Sequence, residues 1–325
     1  MCGIAGKVSL RGDVPAGLVE SMCERQAHRG PDSRGIHRSG GVALGIQRLR
    51  IIDLETGDQP IFNEDRSVVV VQNGEIYNYR ELRAQLRSRG HRFETETDTE
   101  VIAHLYEDHG EGFVDHLRGM FAIAIWDRRR ERLVLARDRV GKKPLFYAAI
   151  GGTLWFGSEP RTIVEDPAVP RDVDFDAIDS FLHYQYVPHP KSAFKALRKL
   201  PPAHTLTWSN GRVETRRYWK LRYGEKLEGA SEAEIQEMIR ERLLEATRLR
   251  LRSDVPERLA GVAGCHVCEP DPDVLAAALD SALDHGRSEE ARAAVESLSG
   301  VAVARRIVDV YRTAIGSSNG YVHAT

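Results

Sequence analysis

Met1-Cys2-Gly3-Ile4-Ala5-Gly6 opens the chain, and its second residue decides how the rest is read. Methionine ahead of a small residue is normally removed, which would make Cys2 the amino terminus. A terminal cysteine carries its own proton acceptor, because the free α-amino group titrates at about 7.7–8.0 and the thiol at about 8.5. One residue then supplies a soft nucleophile and a near-neutral base, and no separate histidine is required. The ordinary alternative is a chance cysteine on an exposed, disordered start. The residues that follow decide between the two.

Working outward, Val68-Val69-Val70-Val71, Phe121-Ala122-Ile123-Ala124-Ile125-Trp126 and Leu133-Val134-Leu135-Ala136 are short runs rich in β-branched or aromatic residues, as buried strands require. Residues 79–89 place Leu82 and Leu86 four apart and stop at Gly90, which predicts a helix. Thr97-Asp98-Thr99-Glu100 has capping-box spacing ahead of Val101, Ile102 and Leu105 and predicts a second. Strands packed on helices give residues 1–160 a layered α+β character. Asp127-Arg128-Arg129-Arg130-Glu131-Arg132 and Ser39-Gly40-Gly41 read as hairpin turns, and Cys23 beside Met22 as a buried small hydrophobe. Prolines at 167, 170, 188 and 190 interrupt the pattern, and Tyr218-Trp219 reads as the close of a first domain. Ser231 followed by Glu234 caps a helix with Ile235, Ile239, Leu243 and Ala246 on one face.

Composition narrows the function. The 325 residues suffice for one good core and part of a second. A net charge of −2 offers no basic excess for nucleic acid. The sequence has no apolar run of about 18 residues and no signal peptide ahead of Cys2, so neither a membrane span nor export is expected. Four cysteines suggest no disulfide framework and fit a cytoplasmic protein.

Cys2-Gly3-Ile4-Ala5-Gly6, His28-Arg29-Gly30-Pro31-Asp32, Arg48-Leu49-Arg50-Ile51-Ile52-Asp53, Asn73-Gly74-Glu75-Ile76-Tyr77-Asn78 and Thr97-Asp98-Thr99-Glu100 follow one another in this order. Together they resemble the glutaminase half of glutamine-dependent asparagine synthetases, which are class II glutamine amidotransferases. Gly119-Met120-Phe121-Ala122, Ala136-Arg137-Asp138-Arg139 and Lys199-Leu200-Pro201-Pro202-Ala203-His204 extend the resemblance, which covers about residues 1–256. It is especially close to members found with exosortase and exopolysaccharide systems. The resemblance implies a four-layer αββα N-terminal-nucleophile hydrolase domain, followed here by a short helical C-terminal segment. It divides the chain into a glutaminase domain (1–218), the start of a truncated synthetase domain (219–256) and a divergent helical tail (257–325).

The same resemblance assigns roles. Cys2 attacks the side-chain amide of glutamine and its amine carries the proton. The Asn73 side chain and the Gly74 N–H form the oxyanion hole. Arg48 clamps the substrate carboxylate, Asp98 with Glu75 holds its α-ammonium, and Ile51 and Ile52 complete the glutamine pocket. The loop around His28 has a supporting role. The glutaminase step needs no cofactor. ATP and Mg²⁺ belong to the family's synthetase half, whose S-G-G-x-D-S pyrophosphate loop does not follow Pro256.

Residues 271–315 instead read as amphipathic helices, with Leu275, Leu279 and Leu283 on one face and Ala304, Ile307 and Tyr311 on another. They resemble the end of a glycosyltransferase, as if a gene rearrangement had joined two reading frames. Cys265-His266-Val267-Cys268 has metal-like spacing but no second ligand pair, so no metal is assigned. The expected partners are L-glutamine and either a second copy in a homodimer or a separate ammonia-acceptor protein, with no nucleic acid and no membrane. The competing reading is a catalytically dead, truncated or fused remnant that acts as a binding or interaction module.

Overall fold

Alternation within the apolar runs sorts the strand side chains onto two faces, and each face finds a different core. The structure, a computed structural model, describes residues 1–10, 12–224 and 229–250. Its strands are β1 (Gly3–Ser9), β2 (Ser33–Ser39), β3 (Val42–Arg48), β4 (Ile61–Phe62), β5 (Val68–Ile76), β6 (Gly119–Asp127), β7 (Arg132–Arg137), β8 (Phe146–Ile150), β9 (Thr153–Gly157), β10 (Arg198–Lys199), β11 (His204–Ser209) and β12 (Arg212–Arg217). They form two antiparallel sheets, ordered β10-β8-β9-β1-β3-β2 and β12-β11-β7-β6-β5-β4. The helices are α1 (Leu18–Glu24), α2 (Tyr79–Ser88), α3 (Glu100–His109), α4 (Pro160–Ile163), α5 (Phe175–Tyr184) and α6 (Glu232–Arg250).

The two sheets stack on each other. Ile4, Val8, Leu44 and Phe156 of the first meet Val69, Val71, Ala124 and Leu135 of the second in one buried cluster. The outward residues of β5, Val68 and Val70, join Leu82, Leu86, Val101 and Leu105 of α2 and α3. Ala5 and Ala43 on the outer side of the first sheet pack on Val19, Met22 and Cys23 of α1. The layers therefore run helix, sheet, sheet, helix, and the α+β expectation of four αββα layers holds.

The turns follow their chemistry. Gly40 takes φ 55° between β2 and β3, and the arginine-rich run turns β6 into β7. One local mechanism differs from the sequence reading. The helix expected after Thr97 exists, but its N-cap is Thr99 and no side chain caps it. The Glu100 carboxylate accepts instead from the backbone N–H groups of Glu94 (2.8 Å) and Thr95 (2.8 Å), tying the preceding loop to the helix. Before α6 the box forms as expected: the Glu234 carboxylate accepts from the Ser231 N–H at 2.8 Å. The apolar face of α6 stands in solvent, with Ile239 and Leu243 exposed. The tail helices and Cys265-His266-Val267-Cys268 lie outside the described residues.

β1 occupies the middle of its sheet. Gly6 has no Cβ, and the Phe156 ring fills the space one would take. Phe156→Ala should therefore cost about 3–5 kcal/mol of stability, whereas Phe175→Ala on the exposed face of α5 should stay within about 0.5 kcal/mol. Urea unfolding of both variants checks this, and equal losses would contradict the packing described.

Candidate active site

The central position of β1 holds the start of the chain in place. Gly3 pairs with Gln47 of β3, the Ile4 N–H donates to Ser158 Oγ at 3.0 Å, and the Arg29 guanidinium donates to the Cys2 carbonyl at 3.0 Å. Arg29 is itself anchored on Glu159 at 3.2 Å. The Cys2 thiol lies against the backbone of Leu49, whose N–H points at Sγ from 3.3 Å. Burial pushes the thiol pKa up, and the Leu49 N–H and the Arg48 charge pull it back. An idle thiol here stays protonated and needs a base to become a nucleophile.

Cys2 opens onto a cavity of about 270 Å³. Arg48, Ile51, Ile52, Asn73, Gly74, Glu75 and Asp98 all line it, so every site residue named from the sequence meets in one place. Asn73 and Gly74 come from β5 in the facing sheet, opposite Ala122 and Phe121 of β6. A side chain at Gly74 would collide with the Met120 carbonyl, so only glycine permits this approach. Asn73 is fully buried, yet neither its Oδ1 nor its Nδ2 bonds to any described residue. A buried amide left unpaired costs about 1–3 kcal/mol per group, so Asn73 has hydrogen-bonding capacity to offer a ligand in the cavity.

Arg48 is buried at the end of β3. One terminal nitrogen donates to Asp58 at 2.7 Å, and the other to the carbonyls of Ile52 (2.9 Å) and Asp53 (2.7 Å). These bonds hold the loop that carries Ile51 and Ile52, and they occupy three of the five guanidinium N–H groups. Bonds from Arg50, and despite burial from Arg48, hold the Asp58 carboxyl down at about 2, so the pair stays ionised.

Asp98 precedes α3. Its Oδ2 accepts the Ile76 N–H at 2.7 Å rather than capping the helix. Burial raises its carboxyl to about 6 against the pull of that N–H, and the nearby Glu75 adds to the rise. Burial also raises Glu75, which Lys143 and Lys142 draw back.

Both lysines line the cavity, together with Gln59, and sequence reasoning did not single them out. The signal was present in the residues just after Arg137-Asp138-Arg139. Asp138 gathers the backbone N–H groups of Lys142 (2.9 Å), Lys143 (2.9 Å) and Phe121 (3.3 Å) on its carboxylate, which curls the loop after β7 toward the cavity. His28 instead sits outside, 3.0 Å from Glu159.

Residues 1–219 match the glutamine amidotransferase domain family. The chain belongs to that family. The chain is 38% identical over 271 residues to asparagine synthetase [glutamine-hydrolyzing] 2 of Bacillus subtilis, a match covering 78% of this chain and 36% of that protein. It is 47% identical over 169 residues to the asparagine synthetase [glutamine-hydrolyzing] of Brassica oleracea, covering 51% of this chain and 28% of that one. The chain thus spans about a third of the length of these relatives. The fold is also that of an allosteric regulatory enzyme of purine biosynthesis, at TM-score 0.50 and 20% identity, over 67% of this chain and 49% of that chain. Among the described residues no helix is long and apolar enough to cross a membrane.

The raised Asp98 carboxyl has a thermodynamic consequence. The folded protein holds this proton up to about pH 6. The unfolded chain releases it near 4, so stability falls as pH rises between the two values. Asp98→Asn removes that slope, and its stability should gain about 2–3 kcal/mol on the parent from pH 4 to pH 6. Urea unfolding across that range checks it; a difference independent of pH would contradict the burial argument.

Proposed function

We propose that this domain hydrolyses the side-chain amide of L-glutamine to glutamate and ammonia, with Cys2 as nucleophile. The observation that carries the reading is the pairing, in one cavity, of the Cys2 thiol with the unpartnered amide of buried Asn73. Removal of Met1 frees the Cys2 amine, which takes the thiol proton as Sγ attacks the amide carbon. The carbonyl oxygen becomes an oxyanion, which the Asn73 Nδ2–H and the Gly74 N–H receive. Collapse breaks the carbon–nitrogen bond, the amine returns its proton to the leaving nitrogen, and ammonia departs. Water then cleaves the thioester and releases glutamate.

The far end of glutamine is a zwitterion, and the cavity supplies both signs. The two remaining Arg48 N–H groups take the carboxylate. Asp98 and Glu75 take the ammonium, whose charge draws the Asp98 proton off. No step in this chemistry calls for a metal or a nucleotide. We assign the reaction to residues 1–218, and read 219–256 as the beginning of a synthetase domain, in keeping with the exposed apolar face of α6. The amide acceptor would then lie outside residues 1–218.

Glutamate release from glutamine by the processed protein, with Met1 loss verified by intact mass, tests the reading. Cys2→Ala should abolish release, and Asn73→Ala should lower kcat about 10²–10³-fold. kcat/KM should fall as pH drops through about 6, where Asp98 takes up its proton. Residues 1–218 alone should retain the activity. Release that survives Cys2→Ala would overturn the assignment.

A further inference from the structure

Away from the cavity, four side chains with metal-ligand chemistry converge from three segments. Glu64 comes from the turn between β4 and β5, His91 from the connection between α2 and α3, and His104 and Glu107 from one face of α3. One ligand atom of each lies within 4.8 Å of all the others. His104 Nδ1 is 3.4 Å from Glu64 Oε2 and 3.4 Å from Glu107 Oε2. His91 Nδ1 is 3.5 Å from Glu64 Oε1 and 3.8 Å from Glu107 Oε2.

These separations are informative. Ion-paired hydrogen bonds draw nitrogen and oxygen to about 2.7–2.9 Å, and none of the four inner contacts is that short. Four ligands at about 2.0–2.2 Å around a tetrahedral ion stand about 3.3–3.6 Å apart along each edge. Three of the four inner contacts, at 3.4–3.5 Å, fall in that range, and the fourth, at 3.8 Å, lies just outside it.

Neighbouring groups surround the four side chains. His91 Nε2 is 3.1 Å from Asp108 Oδ1, and His104 Nε2, which makes no hydrogen bond, faces Glu100 Oε1 at 3.8 Å. Asn63 donates to Glu107 Oε1 at 2.8 Å, and the Arg92 N–H to Glu64 Oε1 at 2.9 Å. The Asp108 carboxylate behind His91 fixes that ring so that Nδ1 faces inward, the arrangement that supports metal-bound histidine, and Glu100 lies behind His104 at longer range. His104 is fully buried, while Glu64, His91 and Glu107 keep partial exposure and leave an entry path.

We propose that Glu64, His91, His104 and Glu107 bind a zinc ion. Two neutral imidazoles and two carboxylates balance its charge and suit its preference for nitrogen and oxygen at tetrahedral spacing. Four protein ligands close the shell, so the ion is structural: it fastens the β4–β5 turn and the α2–α3 connection onto α3. This site is independent of the glutaminase reading and does not require it.

The test uses the full chain carrying Cys265→Ser and Cys268→Ser, so that the second metal-like motif contributes nothing. After chelator treatment, one equivalent of Co²⁺ should produce the visible ligand-field bands of a tetrahedral complex, without thiolate charge transfer, and Zn²⁺ should displace it. Glu107→Gln should weaken binding at least about a hundredfold, and Asp108→Asn, which touches only the ring behind the ligand, about 10–100-fold. Saturating Zn²⁺ should raise Tm by roughly 5–10 °C in the parent and not in Glu107→Gln. Circular dichroism verifies folding, and Glu64→Gln replaces any variant that fails it. A folded parent without tetrahedral Co²⁺ bands, or an affinity that Glu107→Gln leaves unchanged, would reduce the cluster to a hydrogen-bonded histidine–carboxylate network and overturn the proposal.

Discussion

The pairing of β1 on both edges, which fixes residue 2 beside the cavity, is the constraint on which the rest of this structure depends. Here β1 is bonded on both edges, to β3 and to β9, and the backbone of residues 2 and 4 is held further by Arg29 and Ser158. Such pairing restricts where the second residue can go, and so makes a reactive group on it useful. Gly6 and Phe156 belong to the same requirement, since the ring closes over β1 only where no side chain stands in its way.

The facing sheet and the segment before α3 meet that strand with buried polar groups. Asn73 is fully buried and unpartnered, and Asp98 is held where burial opposes its charge. Each costs stability in the free protein. On the proposed reading, a ligand with an amide carbonyl at one end and an ammonium at the other would bond to both, so that part of its binding energy would already be prepared in the folded state. Arg48 both organises the loop bearing Ile51 and Ile52 and lines the cavity.

Much of this was legible in the residues. The valine run at 68–71 and the apolar runs at 121–126 and 133–136 gave strands because period-two burial on both faces leaves few alternatives. Every glutamine-pocket residue inferred from the family resemblance lines the one cavity, because those residues sit at strand ends and turns whose local chemistry is strong. Other features depended on contacts distant in sequence. Lys142 and Lys143 reach the cavity only because Asp138 curls the loop between them and β7. The Glu64, His91, His104 and Glu107 cluster has no short motif, since its members come from a turn, a connection and a helix that tertiary packing brings together. The capping-box spacing at Thr97 gave the right helix through a different set of bonds, because Glu100 found the N–H groups of Glu94 and Thr95 instead.

The central claim is that residue 2 is the atom-level site of reaction. A glutamine analogue with an electrophilic diazoketone in place of its amide tests it most directly, read by peptide mass mapping of the processed protein. The account predicts one adduct, on Cys2, that free glutamine prevents and asparagine does not. Labelling of Cys23 or another cysteine, or no adduct in a protein that still releases glutamate, would contradict it.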